Sequence, residues 1–226
     1  LTRERLIEAC GQIVEAIRAY DPDIHVCAEA QRSESEGLLV TTGGVRQPTR
    51  RTLWSLLCEI QRTRGEQMLL GYAWRSWRDA GAHFDPGWIA EQILESLRLA
   101  ERRAEPPVGR LPALLPPRIV RQLLKAVELG VNGRNVAKGD SPLAGRLGER
   151  VLNPSVTIVD DPHLDYCDGA AVIDGDGVPT RVTPLLTRGV LEGFLYDLDS
   201  AGLAGAEPTG NDGCMPWSLR VAPGRR

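Results

Sequence analysis

Thr52-Leu53-Trp54-Ser55-Leu56-Leu57-Cys58-Glu59-Ile60 is the stretch that decides the fold class. Trp54, Leu56, Cys58 and Ile60 fall on one side of a two-residue period, while Ser55 and Glu59 fall on the other. A chain that alternates in this way forms a strand with one dry face and one wet face. Arg64-Gly65-Glu66 then marks a turn, and Gln67 to Arg75 reads as the returning strand. Two earlier strands are expected at about 24–29 and 37–42, the second ended by Gly43-Gly44. Together these runs predict an antiparallel sheet.

Helical periods flank the sheet. Leu6, Ile7, Cys10, Ile13, Val14 and Ile17 recur at helical spacing over residues 3–19, with Thr2 placed to cap this helix and Asp21-Pro22 to stop it. Asp85-Pro86 opens a second helix, carried by Ile89, Ile93, Leu94, Leu97 and Leu99 to about Arg103. Glu105-Pro106-Pro107 is the linker. Beyond it, Pro116-Pro117 starts a third helix, whose apolar positions are Ile119, Leu123, Leu124, Val127 and Val131. Residues 132–150 are glycine-rich and polar and read as an extended connection. Strands are then expected at Val156–Val159, Arg181–Thr187 and Val190–Tyr196, the last two joined by an Arg188-Gly189 turn. The class is α+β: antiparallel β-sheets with packed helices in two lobes, 1–107 and 108–226.

Composition narrows the function classes. The 226 residues carry 27 basic and 30 acidic side chains, a formal net charge of −3, which disfavours a nucleic-acid partner. No apolar run approaches the roughly 20 residues needed to cross a bilayer, so no membrane partner is expected. Five cysteines, none in a C-x-x-C pair, read as reduced cytoplasmic thiols and mostly as small buried apolar groups. The sequence begins with Leu1 rather than Met, which points to a segment of a longer chain.

Chemistry-bearing residues are sparse. None of His25, His83 and His163 has a second histidine at ligand spacing. Asp160, Asp161 and His163 form the one local cluster in which carboxylates and an imidazole could share a divalent ion, as in a metal-dependent hydrolase. The competing reading is an Asx turn after a strand, with Asp161-Pro162 starting it. Asp174-Gly175-Asp176-Gly177 resembles a calcium loop, but its twelfth position is Leu185, so a tight turn into a strand at Val178 is the better reading. Ser141 lies in no G-x-S-x-G elbow. No phosphate-binding glycine loop occurs. Trp54, Trp74, Trp77, Trp88 and Trp217, lacking a basic background, read as core or rim aromatics.

A series of short motifs says more. Ser141-Pro142-Leu143, Leu147-Gly148-Glu149-Arg150-Val151, Val156-Thr157-Ile158-Val159-Asp160-Asp161-Pro162, Asp176-Gly177-Val178-Pro179-Thr180-Arg181 and Gly189-Val190-Leu191 fall in order, followed by Gly193-Phe194-Leu195-Tyr196-Asp197 and Thr209-Gly210-Asn211. In this the chain resembles the TldD/PmbA family, the modulators of DNA gyrase. Glu36-Gly37-Leu38-Leu39-Val40 and Gly71-Tyr72 resemble the family's middle region, and 108–226 the first part of its C-terminal domain.

The resemblance implies a bacterial or archaeal cytoplasmic metalloprotease system acting on unfolded or peptide substrates. Its active members hold zinc with H-E-x-x-x-H on a helix and a later cysteine, two imidazoles gripping the ion while the glutamate serves as base toward bound water. The matching positions here are Leu124 and Leu129 for the ligands and Lys125 for the base. Aliphatic side chains cannot bind zinc and an ammonium repels it, and Glu128 alone does not rescue the site. The sequence ends at Arg226, ahead of the region that supplies the cysteine in relatives, and Cys214 precedes that region. The resemblance is therefore to the PmbA-like (TldE-like) type. It implies no catalytic or metal-binding residue and no cofactor in this chain, with zinc expected on a TldD-like partner bearing H-E-x-x-x-H. The other readings are a truncated remnant or interaction protein without a proteolytic role, and the independent hydrolase built on Asp160, Asp161 and His163.

Overall fold

The protein is described by a computed structural model covering residues 1–79, 83–102 and 104–224. The chain divides into two compact units, Leu1–Gly37 with Thr49–Arg110, and Leu38–Pro48 with Leu111–Arg226.

In the first unit, α1 (Arg3–Tyr20) is capped by Thr2, whose hydroxyl accepts the Arg5 amide. Three strands follow: β1 (His25–Val40), β2 (Arg46–Arg64) and β3 (Gln67–Trp77), in the order β1-β2-β3. The β2–β3 ladder is antiparallel and unbroken from Trp54 opposite Trp77 to Arg64 opposite Gln67, closed by the turn at Gly65-Glu66, where Gly65 adopts φ 61°. The alternation read at 52–60 holds: Trp54, Leu56, Cys58 and Ile60 are buried. Against Leu56, Cys58 and Ile60 lie Ile13 and Ile17 of α1 and Ile89, Ile93 and Leu97 of α2 (Pro86–Ala100). The second helix thus shares the sheet's dry face with the first. The expected end at Arg103 lies outside the described residues, and α2 stops at Ala100.

The expected gap between strands at 24–29 and 37–42 is absent, because β1 is continuous. Its middle, Gln31–Glu36, is polar and exposed, so it carries no burial period to read. The ladder holds it, decorated by surface pairs such as Arg32–Glu34 and Arg50–Glu36.

The second unit is built from short pieces. Helix α3 (Pro117–Val131) opens at the two prolines, and Asn132 both ends it and caps α4 (Gly133–Lys138), its Oδ1 accepting the Arg134 and Asn135 amides. This corrects the extended connection expected over 132–150. The helix is set by that cap and by Gly133, where a Cβ would lie 2.5 Å from the Leu195 carbonyl oxygen and 2.3 Å from the Tyr196 ring.

A four-stranded sheet has the order β6-β5-β4-β7, with β4 (Ile158–Asp160), β5 (Thr183–Thr187), β6 (Val190–Leu191) and β7 (Leu219–Val221). Arg188 and Gly189 both take positive φ, 47° and 78°, as a two-residue hairpin requires. The strand expected over 190–196 ends at Leu191. Leu195 instead exchanges backbone hydrogen bonds with the α3–α4 junction, donating to Val131 and accepting from Gly133. Asp197 then caps α5 (Leu198–Ala204) in a reciprocal capping box with Ser200. Val131, Ile158, Leu185, Leu186, Leu191, Phe194 and Leu195 form the core.

Of the five cysteines, Cys58 and Cys214 are buried, Cys10 and Cys167 half-buried and Cys27 exposed, so fewer serve as core groups than their number predicts. Burial pushes the Cys58 thiol up to about 12.

Candidate functional site

Helix α3 lines a groove within the second unit. Pro117, Val120, Arg121, Leu124 and Glu128 recur along one stripe of the helix, and Leu115 precedes them. The opposite wall is Met215-Pro216-Trp217 with Leu219, and the space between is about 660 Å³. Most of the lining residues are aliphatic or aromatic, with one cation at Arg121 and one anion at Glu128, but polar atoms make up at least as much of the groove's exposed surface as apolar ones.

Of the positions that the resemblance assigns to zinc chemistry, Leu124 faces this groove. Leu129 does not: it is 59% exposed and, five residues along the helix, is rotated well away from Leu124. Lys125 is exposed, beside the groove-lining Leu124. The residues present do not fit a zinc ion, because two aliphatic side chains and an ammonium stand where imidazoles and a carboxylate are needed. Among the described residues, no three His, Cys, Asp or Glu side chains group so as to hold a metal ion.

Asp160, Asp161 and His163 do not form such a group, and each is engaged elsewhere by the protein. Asp160 is fully buried at the end of β4; Oδ1 accepts the Ser218 amide and Oδ2 the Asn211 side-chain amide, both at 2.7 Å. Burial raises its pKa, against the pull of these donors. Asp161 Oδ2 pairs with Arg220 at 2.9 Å and its Oδ1 accepts the His163 amide, the Asx turn read from sequence. The Arg220 guanidinium holds the Asp161 carboxyl below the usual carboxylate range. His163 Nε2 lies 3.2 Å from the Thr180 hydroxyl. The cluster thus ties strands and loops together. Likewise the Asp174 loop is a turn, Oδ1 accepting the Asp176 and Val178 amides, and it enters an isolated bridge at Pro179 rather than a strand at Val178.

Sequence reasoning missed the second wall. Met215-Pro216-Trp217 has no period, and it is placed by ties from remote residues. Asn132 Nδ2 donates to the Gly213 and Cys214 carbonyls, Asn211 Nδ2 to the Met215 carbonyl, and the Trp217 indole to the Gly210 carbonyl. Only the aromatic character of Trp217 signalled a role, as core or rim.

The PmbA/TldA metallopeptidase C-terminal domain family matches residues 108–225. The chain belongs to the PmbA/TldD family. A metalloprotease TldD homolog from Haemophilus influenzae is 29% identical over 226 residues, covering 93% of this chain and 46% of the relative. A metalloprotease from Methanothermobacter thermautotrophicus is 33% identical over 111 residues, 49% of this chain and 24% of that one. In three dimensions, TldE from Thermococcus kodakarensis superposes with a TM-score of 0.83 at 21% identity, over all of this chain and 53% of its own. The mixed α+β fold is thus the PmbA/TldD fold, and the chain spans about half the length of these two longer matches. The groove and the Asp160 cluster both lie within the family's matched region. No helix among the described residues is long and apolar enough to cross a membrane.

Proposed function

We propose that this chain is a non-catalytic, PmbA-like subunit of a TldD/PmbA-type zinc metalloprotease complex acting on unfolded or peptide substrates in the cytoplasm. The observation that carries the reading is the face that α3 presents to the groove. Where active relatives need an imidazole, Leu124 sits in an apolar row with Leu115 and Val120. Such a mixed lining suits an extended peptide, with Leu115, Val120 and Leu124 for its apolar side chains and the polar surface, Arg121 and Glu128 included, for its backbone and charges. Zinc chemistry belongs on a partner subunit with the H-E-x-x-x-H motif. This chain's part is to hold peptide and complete the enclosure around that partner's site.

The test is the native mass of the tagged chain recovered from its host, with its companions identified. A one-to-one complex with a chain bearing H-E-x-x-x-H is the expected result. Stoichiometric zinc or peptidase activity in the isolated chain overturns the reading. Recovery without such a companion turns it into an interaction protein with no proteolytic role.

A further inference from the structure

The groove has one wall made of helix and one made of irregular chain. Helix α3 needs no outside help to keep its stripe in register, since its own ladder does so. Residues 215–217 have no such ladder. Their placement depends on side chains that reach them from elsewhere, and Asp160 lies at the centre of those ties.

We infer that Asp160 is a positioning residue that sets the Met215–Trp217 wall of the groove, acting through Asn211 and the Ser218 amide. The inference rests on the peptide-holding role proposed above for that groove. Asp160 Oδ1 fixes the chain just after Trp217, and Oδ2 holds the Asn211 amide, whose same nitrogen donates to the Met215 carbonyl at 3.1 Å. The carboxylate therefore grips both ends of the three-residue wall. Backbone bonds from the Asp161 amide to the Ser218 carbonyl and across the β4–β7 pairing continue the grip on the far side.

The chemistry is specific to a carboxylate. Asn211 Nδ2 faces two acceptors, Asp160 Oδ2 and the Met215 carbonyl, so its orientation is fixed, and its Oδ1 is buried without a hydrogen-bond partner. An amide at 160 retains one acceptor for the Ser218 N–H but turns a donor toward Asn211. If Asn211 flips to accept it, Oδ1 then faces the Met215 carbonyl, acceptor against acceptor. Unflipped, donor meets donor and Asn211 loses its anchor at 160; flipped, Asn211 loses its bond to Met215. A buried hydrogen bond to a charged group accounts for about tenfold or more in a local opening equilibrium.

The experiment is amide and indole hydrogen exchange on the full chain, comparing wild type, Asp160→Asn and Arg220→Gln. The last loses the neighbouring Asp161 ion pair but leaves the wall's ties in place. Binding of reduced, carboxymethylated α-lactalbumin, a permanently unfolded probe, is measured in parallel. Asp160→Asn is expected to speed exchange of the Ser218 amide and the Trp217 indole about tenfold, with Leu186 and Leu191 changed less than twofold. Probe affinity should fall several-fold, and Arg220→Gln should leave both near wild type.

Unchanged exchange at 217–218 overturns the inference, and so does an equal rise at Leu186 and Leu191, which marks a merely structural role. Should Asp160→Asn fail to fold, Asn211→Ser removes the donor to Met215 while sparing the Ser218 tie, and it is then the Trp217 indole alone whose exchange must rise, with Leu186 and Leu191 unchanged. A wild-type chain that ignores the probe counts against the peptide-holding function, whereas the exchange pattern alone decides the role of Asp160.

Discussion

The two units use opposite means to specify structure. In the first, a continuous β2–β3 ladder and two amphipathic helices bury one aliphatic face, and nearly every element follows from a period of 2 or 3.6. In the second, the named strands are two to five residues long, and polar side chains hold the path: Asn132, Asp160, Asp161, Asp197 and Asn211 each tie backbone or charge across the fold. The first unit spreads its stability over apolar area, whereas the second concentrates it in a few directional contacts. The groove lies in the second, where geometry can be set residue by residue.

The comparison can be broken by substitution. The largest effect is expected from Leu56→Ala, since Leu56 is fully buried in the first unit's core; urea unfolding should show a loss of about 2–5 kcal/mol. A small loss would mean that area is not what holds that unit. Next, Gly133→Ala drives a Cβ into the Leu195 carbonyl and the Tyr196 ring, and should cost about 1–3 kcal/mol, read in the same assay. Tolerance of alanine there would show that the α3–α4 junction is slack. Asp85→Ala removes the N-cap that accepts the Trp88 amide and should cost about 1 kcal/mol.

The smallest effect sharpens the contrast through pH. Hydrogen bonding from Arg62, chiefly, holds the Glu101 carboxyl below its ordinary value, and the Asp23 amide, followed by Arg64, does the same for Asp21. Folded values below unfolded ones mean stability that is present above the unfolded pKa and lost as pH falls through the folded one. Asp160 has the opposite sign: burial raises it, so its charged form opposes folding once pH rises past the unfolded value. Between about pH 5 and 3, Arg62→Met should therefore flatten the acid decline of stability, and Asp160→Asn should steepen it. Fluorescence-monitored unfolding across that range checks both signs.

Legibility from sequence followed the same division. Trp54, Leu56, Cys58 and Ile60 announced their strand because burial repeats along them, and α1 and α2 showed their stripes for the same reason; of the apolar positions read for α3, Ile119 and Leu123 are exposed and only Leu124, Val127 and Val131 turn inward. Gln31–Glu36 did not, since a strand exposed on both faces has no pattern. Helix α4 was hidden because its determinants are one cap and one close approach at Gly133, and the end of β6 because Leu195 bonds to Val131 and Gly133 instead of continuing its hairpin. One wall of the groove was visible as an amphipathic helix. The other depends on partners such as Asp160 and Asn211, fifty-one positions apart, a distance that no local pattern spans.

The β1–β2 hairpin carries a consequence for modularity. Its tip, residues 38–48, belongs to the second unit, where Gly177 leaves room for Thr41 and Val45: a Cβ there would meet them at 3.2 and 3.3 Å. The polypeptide therefore passes between units at 37/38, 48/49 and 110/111, and no single cut separates them. The family's domain match begins at residue 108, yet a fragment excised there would leave behind a piece of its own packing. Gene fusion or shuffling at that junction therefore exchanges an incomplete part.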